Sequence, residues 1–95
     1  MEDQGKPNLQ RLISVVVPCF NEEEVLDQTL VELERFVSDL HSYEVELIFV
    51  DDGSDDATLE ILSSAADRNR FVRILSFSRN FGHQIAVTAG IDAAS

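Results

Sequence analysis

Hydrophobic positions along the chain switch between two spacings. Residues 12–17, LISVVV, form a β-branched run that is apolar on both alternating faces. Such a run predicts a strand buried on both sides, the kind found in parallel sheets. Pro18 is expected to end it, because proline has no N–H for a central ladder. Leu26, Leu30, Leu33, Val37 and Leu40 then recur at steps of four and three, one face of an α-helix that should end near His41 and Ser42. Asn21 stands where its N-cap would be, with Glu24 in the capping-box position. Residues 45–50, VELIFV, predict a second strand. Ser54 or Asp55 can cap a second helix over residues 56–67, with Leu59, Leu62 and Ala66 facing inward. Residues 71–78 predict a third strand. Residues 83–94 predict a last helix rich in small side chains, Ala86, Ala89, Gly90 and Ala93, which let it lie close to a neighbour. Gly90 costs that helix about 1 kcal/mol against alanine.

The order β-α-β-α-β-α predicts an α/β fold of three layers, a parallel sheet with helices on both faces. Residues 1–11 are expected to be a flexible arm and residues 12–95 the folded part. In such sheets ligands bind beyond the carboxyl ends of the strands. Three loops therefore carry the candidate chemistry: residues 18–22, 51–56 and 79–83.

Charge narrows the partners. The chain has 95 residues and a net charge of −11. Residues 22–60 hold fourteen acids and one base, a local −13, while residues 61–95 sum to +2 and residues 1–21 to zero. A sequence-independent nucleic-acid binder needs cationic surface, so a nucleic-acid partner is excluded. At 44% hydrophobic the chain is too apolar for a disordered one. The single cysteine, Cys19, excludes an internal disulfide and a multi-cysteine zinc site. No apolar run approaches the roughly 20 residues of a membrane span, and the first ten residues lack the apolar core of a signal peptide. The chain as given is expected to be soluble.

Each loop has a chemical and a structural reading. The first, PCFNE, has no glycine, so neither G-x-G-x-x-G nor a P-loop is possible there. It offers the flat surface of Phe20 beside Asn21 and Glu22, both able to hydrogen-bond a polar heterocycle; alternatively Pro18 ends a strand and Asn21 caps a helix. The second, VDDGS, places Asp51 and Asp52 after Val50 at a strand's carboxyl end. Adjacent carboxylates need an answer to their charge: a metal, a ribose diol, a base N–H or a helix N-terminus. They point to opposite sides of an extended chain, and both could instead cap the turn, with Gly53 supplying a positive φ. In the third, Arg79 can pair with a phosphate or with an acid of the second loop. Gly82 allows close backbone approach, and the helix start behind it favours an anion. His83 reads as exposed, and Cys19 as structural. No nucleophile–base pair and no His/Cys metal spacing can be assembled, so no catalytic residue and no metal ligand is assigned.

Taken in order, ISVVVPCFNEEEVL, ELIFVDDGSDDAT and SFSRNFGHQIAVTAGIDAA resemble the start of the family 2 glycosyltransferases with the GT-A fold. The resemblance covers residues 12–95. It is closest to the polyprenyl-phosphate branch, the dolichol-phosphate and undecaprenyl-phosphate mannosyl- and glucosyltransferases, through the S-R-N-F-G-x-x-x-A-x-x-A-G segment. It implies a Rossmann-like nucleotide-binding half. Pro18, Phe20, Asn21 and Glu22 would line the base; Asp52, with Asp51, Val50 and Gly53 beside it, would bind base or ribose; Arg79, Asn80 and Gly82 would flank the site. The donor would be a UDP- or GDP-linked sugar, the acceptor a polyprenyl phosphate, and the reaction would proceed with inversion. The resemblance further implies Mg²⁺ or Mn²⁺, a place on the cytoplasmic face of the membrane and a homo-oligomer as one assembly state. In the family the metal is held by an Asp-x-Asp motif on the next strand, which these residues do not contain. The 95-residue chain is therefore expected to be inactive alone. A non-catalytic nucleotide-binding or purely structural α/β unit is the alternative.

Overall fold

A computed structural model describes residues 11–95. The elements run β1 (Arg11–Cys19), α1 (Glu23–Asp39), β2 (Tyr43–Asp51), α2 (Thr58–Arg68), β3 (Val72–Ser76) and α3 (His83–Ala93). The sheet is parallel throughout in the order β1-β2-β3. The α/β alternation expected from the hydrophobic pattern is therefore present. The arm expected over residues 1–11 lies outside the described residues except for Arg11, which opens β1.

Strand alternation sorts the core into two layers. Val45, Leu47 and Phe49 of β2 join Cys19, Leu26, Leu30, Leu62, Ala65 and Val72 on the face covered by α1 and α2. Ile48 and Val50 join Ala86 of α3 on the other face, with Val16, Leu75 and Phe77 packed beside them. The central strand is thus sealed on both sides, and Leu47, Ile48, Phe49 and Val50 are fully buried. That is why its sequence reads as an unbroken apolar run.

Two expectations need correction. Pro18 does not end β1; the strand continues to Cys19, and Pro18 pairs in register with Val50. The Cys19 carbonyl accepts from the Asp52 amide at 2.8 Å. Backbone groups of successive strand residues point to opposite sides, so those of Pro18 face away from β2. Its missing N–H removes no bond from the ladder. In α2 the buried residues are Thr58, Leu62 and Ala65, while Leu59 is only half-buried. The helix starts at Thr58, two residues later than expected, and its inward face is centred on Leu62 with Thr58 and Ala65 beside it.

Registry brings the functional ends together. Cys19 pairs with Asp51, and Asp51 with Ser76, so all three strands finish in one row. On the α3 face the closest approach is at Gly90, where an added Cβ would overlap Val16 Cγ1 and press on Val50 Cγ2. Glycine here costs helix propensity and gains contact between helix and sheet.

Gly90→Ala is expected to destabilise the chain by about 1–3 kcal/mol through overpacking, against a propensity gain of about 1 kcal/mol. In the Val16→Ala background the same change should cost less. Urea unfolding of the four-member cycle checks this; an additive cycle, or a Gly90→Ala variant more stable than the parent, would refute the close packing.

Candidate functional site

The row formed by Cys19, Asp51 and Ser76 carries the three loops expected to hold the site, and the structure joins them by two different devices. The first is a carboxylate hub. Asp52 is buried, at 3% exposure. Its Oδ1 accepts from the Phe81 amide at 2.8 Å, and its Oδ2 accepts from the Gly82 amide at 3.0 Å and from Asn80 Nδ2 at 3.1 Å. Asn80 Nδ2 also donates to the Asp52 carbonyl. Gly53, at φ +73°, has no Cβ because one would fall on the backbone of Arg79 and Asn80. Gly82, at φ +106°, turns the chain into α3. The second and third loops are therefore in direct contact, and Asp52 is the reason.

The second device is reciprocal capping of α1 and α2. Free amides at a helix start need acceptors. The Asn21 amide donates to Ser54 Oγ at 2.9 Å, the Glu22 amide to Thr58 Oγ1 at 2.8 Å and the Glu23 amide to Asp56 Oδ2 at 3.2 Å. In return, the Asp55 amide donates to Asn21 Oδ1 and the Ala57 amide to Glu23 Oε1, both at 2.8 Å. Asn21 is thus not an N-cap. It adopts φ +51°, a conformation asparagine tolerates, and reaches across to the second loop. Glu22 holds the N-cap position and makes no side-chain cap. Just before α2, Asp56 Oδ1 accepts from the Thr58 amide at 2.9 Å; the N-cap position itself is Ala57, not Ser54 or Asp55.

Local charges follow from these contacts. Desolvation raises the Asp56 carboxyl, but the Thr58 hydroxyl and amide and the Glu23 amide outweigh it and hold it below its ordinary 3.8. Burial pushes the Cys19 thiol up to about 12, and the charges of Glu22 and Asp51 add to the effect. The thiol stays protonated and is no nucleophile, in keeping with a structural role.

The predicted residues divide clearly. Phe20 is exposed and Glu22 half-exposed beside it. Val50 is fully buried against α3 and is a packing residue. Asp51 is buried at 2% exposure, and its Oδ1 has no hydrogen-bond partner among the described residues. By alternation Asp51 lies on the face of Leu47 and Phe49, while Asp52 turns to the third loop. The two carboxylates therefore do not converge. Among the described residues no group of three or more His, Cys, Asp or Glu could hold a metal, and the donors around Asp52 are N–H groups. These residues do not fit a divalent-cation site. His41 and His83 are exposed.

Sequence reasoning missed Thr58 and Phe81. Thr58 is fully buried and accepts from Glu22; the D-A-T spacing after the acidic loop was its one signal. Phe81 meets Phe77 edge-on, with ring centroids 5.4 Å apart, and the Arg79 guanidinium lies 4.6 Å from its ring centroid. A hollow of about 620 Å³ lies at the opposite, amino end of the sheet, lined by Leu12, Glu46, Arg70 and Arg73 among others. It contains none of the predicted residues, and Arg73 within it is already paired with Glu46 at 3.1 Å.

A parallel sheet with helices on both faces defines a doubly wound α/β protein, and its carboxyl-end loops are the candidate site. The chain belongs to glycosyl transferase family 2, whose sequence profile matches residues 14–95. It is 49% identical over 81 residues to the uncharacterized glycosyltransferase YkcC of Bacillus subtilis, covering 85% of this chain and 25% of that protein. It is 47% identical over 83 residues to the prophage bactoprenol glucosyl transferase homolog of Escherichia coli, covering 87% of this chain and 27% of the relative. The bactoprenol glucosyl transferase of Shigella phage SfV matches to the same extent, 47% over 83 residues. The chain thus spans about a quarter of the length of these relatives, 25% to 27%. No described helix is long and apolar enough to cross a membrane.

Two outcomes test the site's construction. Asp52→Ala leaves the Phe81 and Gly82 amides without an acceptor and should cost about 3 kcal/mol, as expected for hydrogen bonds to a buried charge. Hydrogen exchange at those two amides should rise more than the global loss explains; protection equal to the parent's would show that the hub is dispensable. Asp56 has a folded pKa below its ordinary 3.8, so it contributes stability above that value and loses it as pH falls through the folded value. Asp56→Ala should therefore lower the Tm at pH 7, and the gap from the parent should close in strong acid. A gap independent of pH would assign the loss to packing instead.

Proposed function

We propose that this chain is the nucleotide-sugar-binding part of a glycosyltransferase that moves a hexose from a UDP- or GDP-linked donor to a polyprenyl phosphate with inversion. Family membership supports the reaction class, and relatives named bactoprenol glucosyl transferases support the acceptor class. The observation that carries the binding reading is Asp51. A buried carboxylate oxygen without a donor is costly, and Asp51 Oδ1 is such an oxygen at the carboxyl end of the central strand. A base N–H or a ribose hydroxyl would supply the missing donor. Phe20, exposed on the neighbouring loop, offers a flat face against which a base can stack.

In the transfer, an acceptor phosphate oxygen bonds to the sugar's anomeric carbon as the bond to the nucleoside diphosphate breaks. Attack from the face opposite the leaving group inverts that carbon. In this reading the chain's residues bind and orient the donor. A general base and the acceptor contacts would come from the rest of a longer protein at the cytoplasmic face of the membrane. A Mg²⁺ or Mn²⁺ ion would draw its carboxylates from there too.

Titration of the chain with UDP, UDP-glucose, GDP and GDP-mannose, with and without Mn²⁺, tests the reading. Saturable binding of one nucleotide class is expected, weakened about tenfold or more in Asp51→Ala. No binding of any of the four would leave a structural α/β unit. The purified chain mixed with donor and undecaprenyl phosphate should form no lipid-linked sugar; product in that assay would refute its inactivity alone.

A further inference from the structure

The third loop of this strongly acidic molecule carries one arginine, Arg79, and its guanidinium is held in an unusual way. Among the described residues the ion pairs are Arg68 with Glu34 and Arg73 with Glu46. Arg79 takes part in neither, although the chain's net charge is −11. Its guanidinium instead lies over the Phe81 ring, at 4.6 Å from the centroid. The ring packs edge-on against Phe77, and the backbone that carries it is anchored. Its face-to-edge contact with Phe77 sets the plane at 89°, and its own amide donates to Asp52 Oδ1 at 2.8 Å. The Arg79 backbone is pressed against Gly53 of the second loop. Directly behind, α3 begins at His83 with no acid in its first turn and no side-chain cap. The start of α1, by contrast, carries Glu23 and Glu24. The Asp52 carboxylate already takes the Phe81 and Gly82 amides at this helix start, so the capacity of the loop for a further anion rests on the Arg79 side chain.

We infer that Phe81 is a positioning residue that holds the Arg79 guanidinium for the diphosphate group of a nucleoside diphosphate bound at the carboxyl ends of the strands. The inference rests on the nucleotide-binding reading above and adds a residue and a role to it. A stacked arginine keeps its planar fork pre-oriented while its N–H groups remain free to donate. The ring contact is selective for a cation, since the attraction comes from the ring's negative face. Carboxylate partners would neutralise Arg79; an aromatic partner steadies it and leaves the charge available.

Paired affinities separate the diphosphate from the base: uridine against UDP and guanosine against GDP, measured on the 95-residue chain by calorimetry at two salt concentrations. In the parent, the diphosphate should tighten binding of the preferred nucleoside. Arg79→Gln should lower UDP or GDP affinity about tenfold, leave the nucleoside unchanged and flatten the salt dependence. Phe81→Leu should move the same ratio in the same direction, and Phe81→Tyr should restore it. Amide protection at Gly82 should be unaltered in Phe81→Tyr and Arg79→Gln, showing that the loop is intact. A nucleoside-to-diphosphate ratio unchanged in Arg79→Gln overturns the inference while leaving nucleotide binding standing. Equal losses for nucleoside and diphosphate in Phe81→Leu overturn the positioning role alone. Absence of binding by every nucleotide and nucleoside to the parent overturns this inference together with the reading beneath it.

Discussion

The carboxylate of Asp52 is the contact on which the candidate site depends. It sits one residue beyond β2, where the backbone has just left the ladder, and it gathers three N–H donors from a loop some thirty residues further along the chain. Each bond to an ionised acceptor is stronger than a neutral one, and burial leaves water a poor competitor. Two of the three donors are successive backbone amides, Phe81 and Gly82, so the loop must take up a concave shape around the carboxylate. That shape in turn requires the positive φ of Gly82 and the bare Cα of Gly53. It also sets where α3 starts. With the start fixed, Gly90 arrives over Val16 and Val50, where only glycine fits. One side chain thereby couples the loops to the packing of the whole second layer.

The acidic middle of the chain acquires a physical account from the same geometry. Acids in residues 22–60 are not simply solvated. Glu23 and Asp56 accept backbone amides across the gap between α1 and α2, and Asn21, Ser54 and Thr58 complete the exchange. Two helices that start side by side present two positive poles to one another, an unfavourable arrangement. Placing acids and polar side chains between them turns that repulsion into mutual capping. The charges of Glu23 and Asp56 are therefore tied to the topology. Parallel strands in register deliver both helix starts to the same edge, and something anionic has to stand between them.

The strands, the helices and, α2 apart, the face each buries were legible because they depend on local periodicity. VELIFV had to be a sealed strand, and the four-three steps from Leu26 to Leu40 had to be one helical face. The roles of loop residues were less legible because their partners are remote in sequence. Asn21 has the composition of an N-cap and a good capping-box neighbour in Glu24, yet its acceptor serves Asp55, 34 residues away. Local capping chemistry and cross-loop capping chemistry use the same residue types, so only the fold distinguishes them. Pro18 failed as a strand stop for a related reason: the rule concerns which side its backbone faces, and that depends on where the partner strand lies. Phe81 left no signal, since an exposed phenylalanine in a loop has no pattern of its own.

Asp51 and Asp52 show how one residue of offset divides labour at a strand end. Strand alternation sends them to opposite faces, so identical side chains enter different surroundings. Asp52 meets amides and is saturated on Oδ2, with one donor on Oδ1. Asp51 meets the thiol side of Cys19 and keeps a buried oxygen without a donor. The family resemblance assigns the base or ribose contact chiefly to Asp52. A ligand there must share Oδ1 with the Phe81 amide, and so it would feel any movement of the third loop directly. A ligand at Asp51 would instead relieve an unmet polar group, gaining from the cost the fold already bears. The pair thus combines an anchor with an unpartnered acceptor, and only binding at Asp52 would be transmitted to Arg79 and Phe81 through the loop that Asp52 holds.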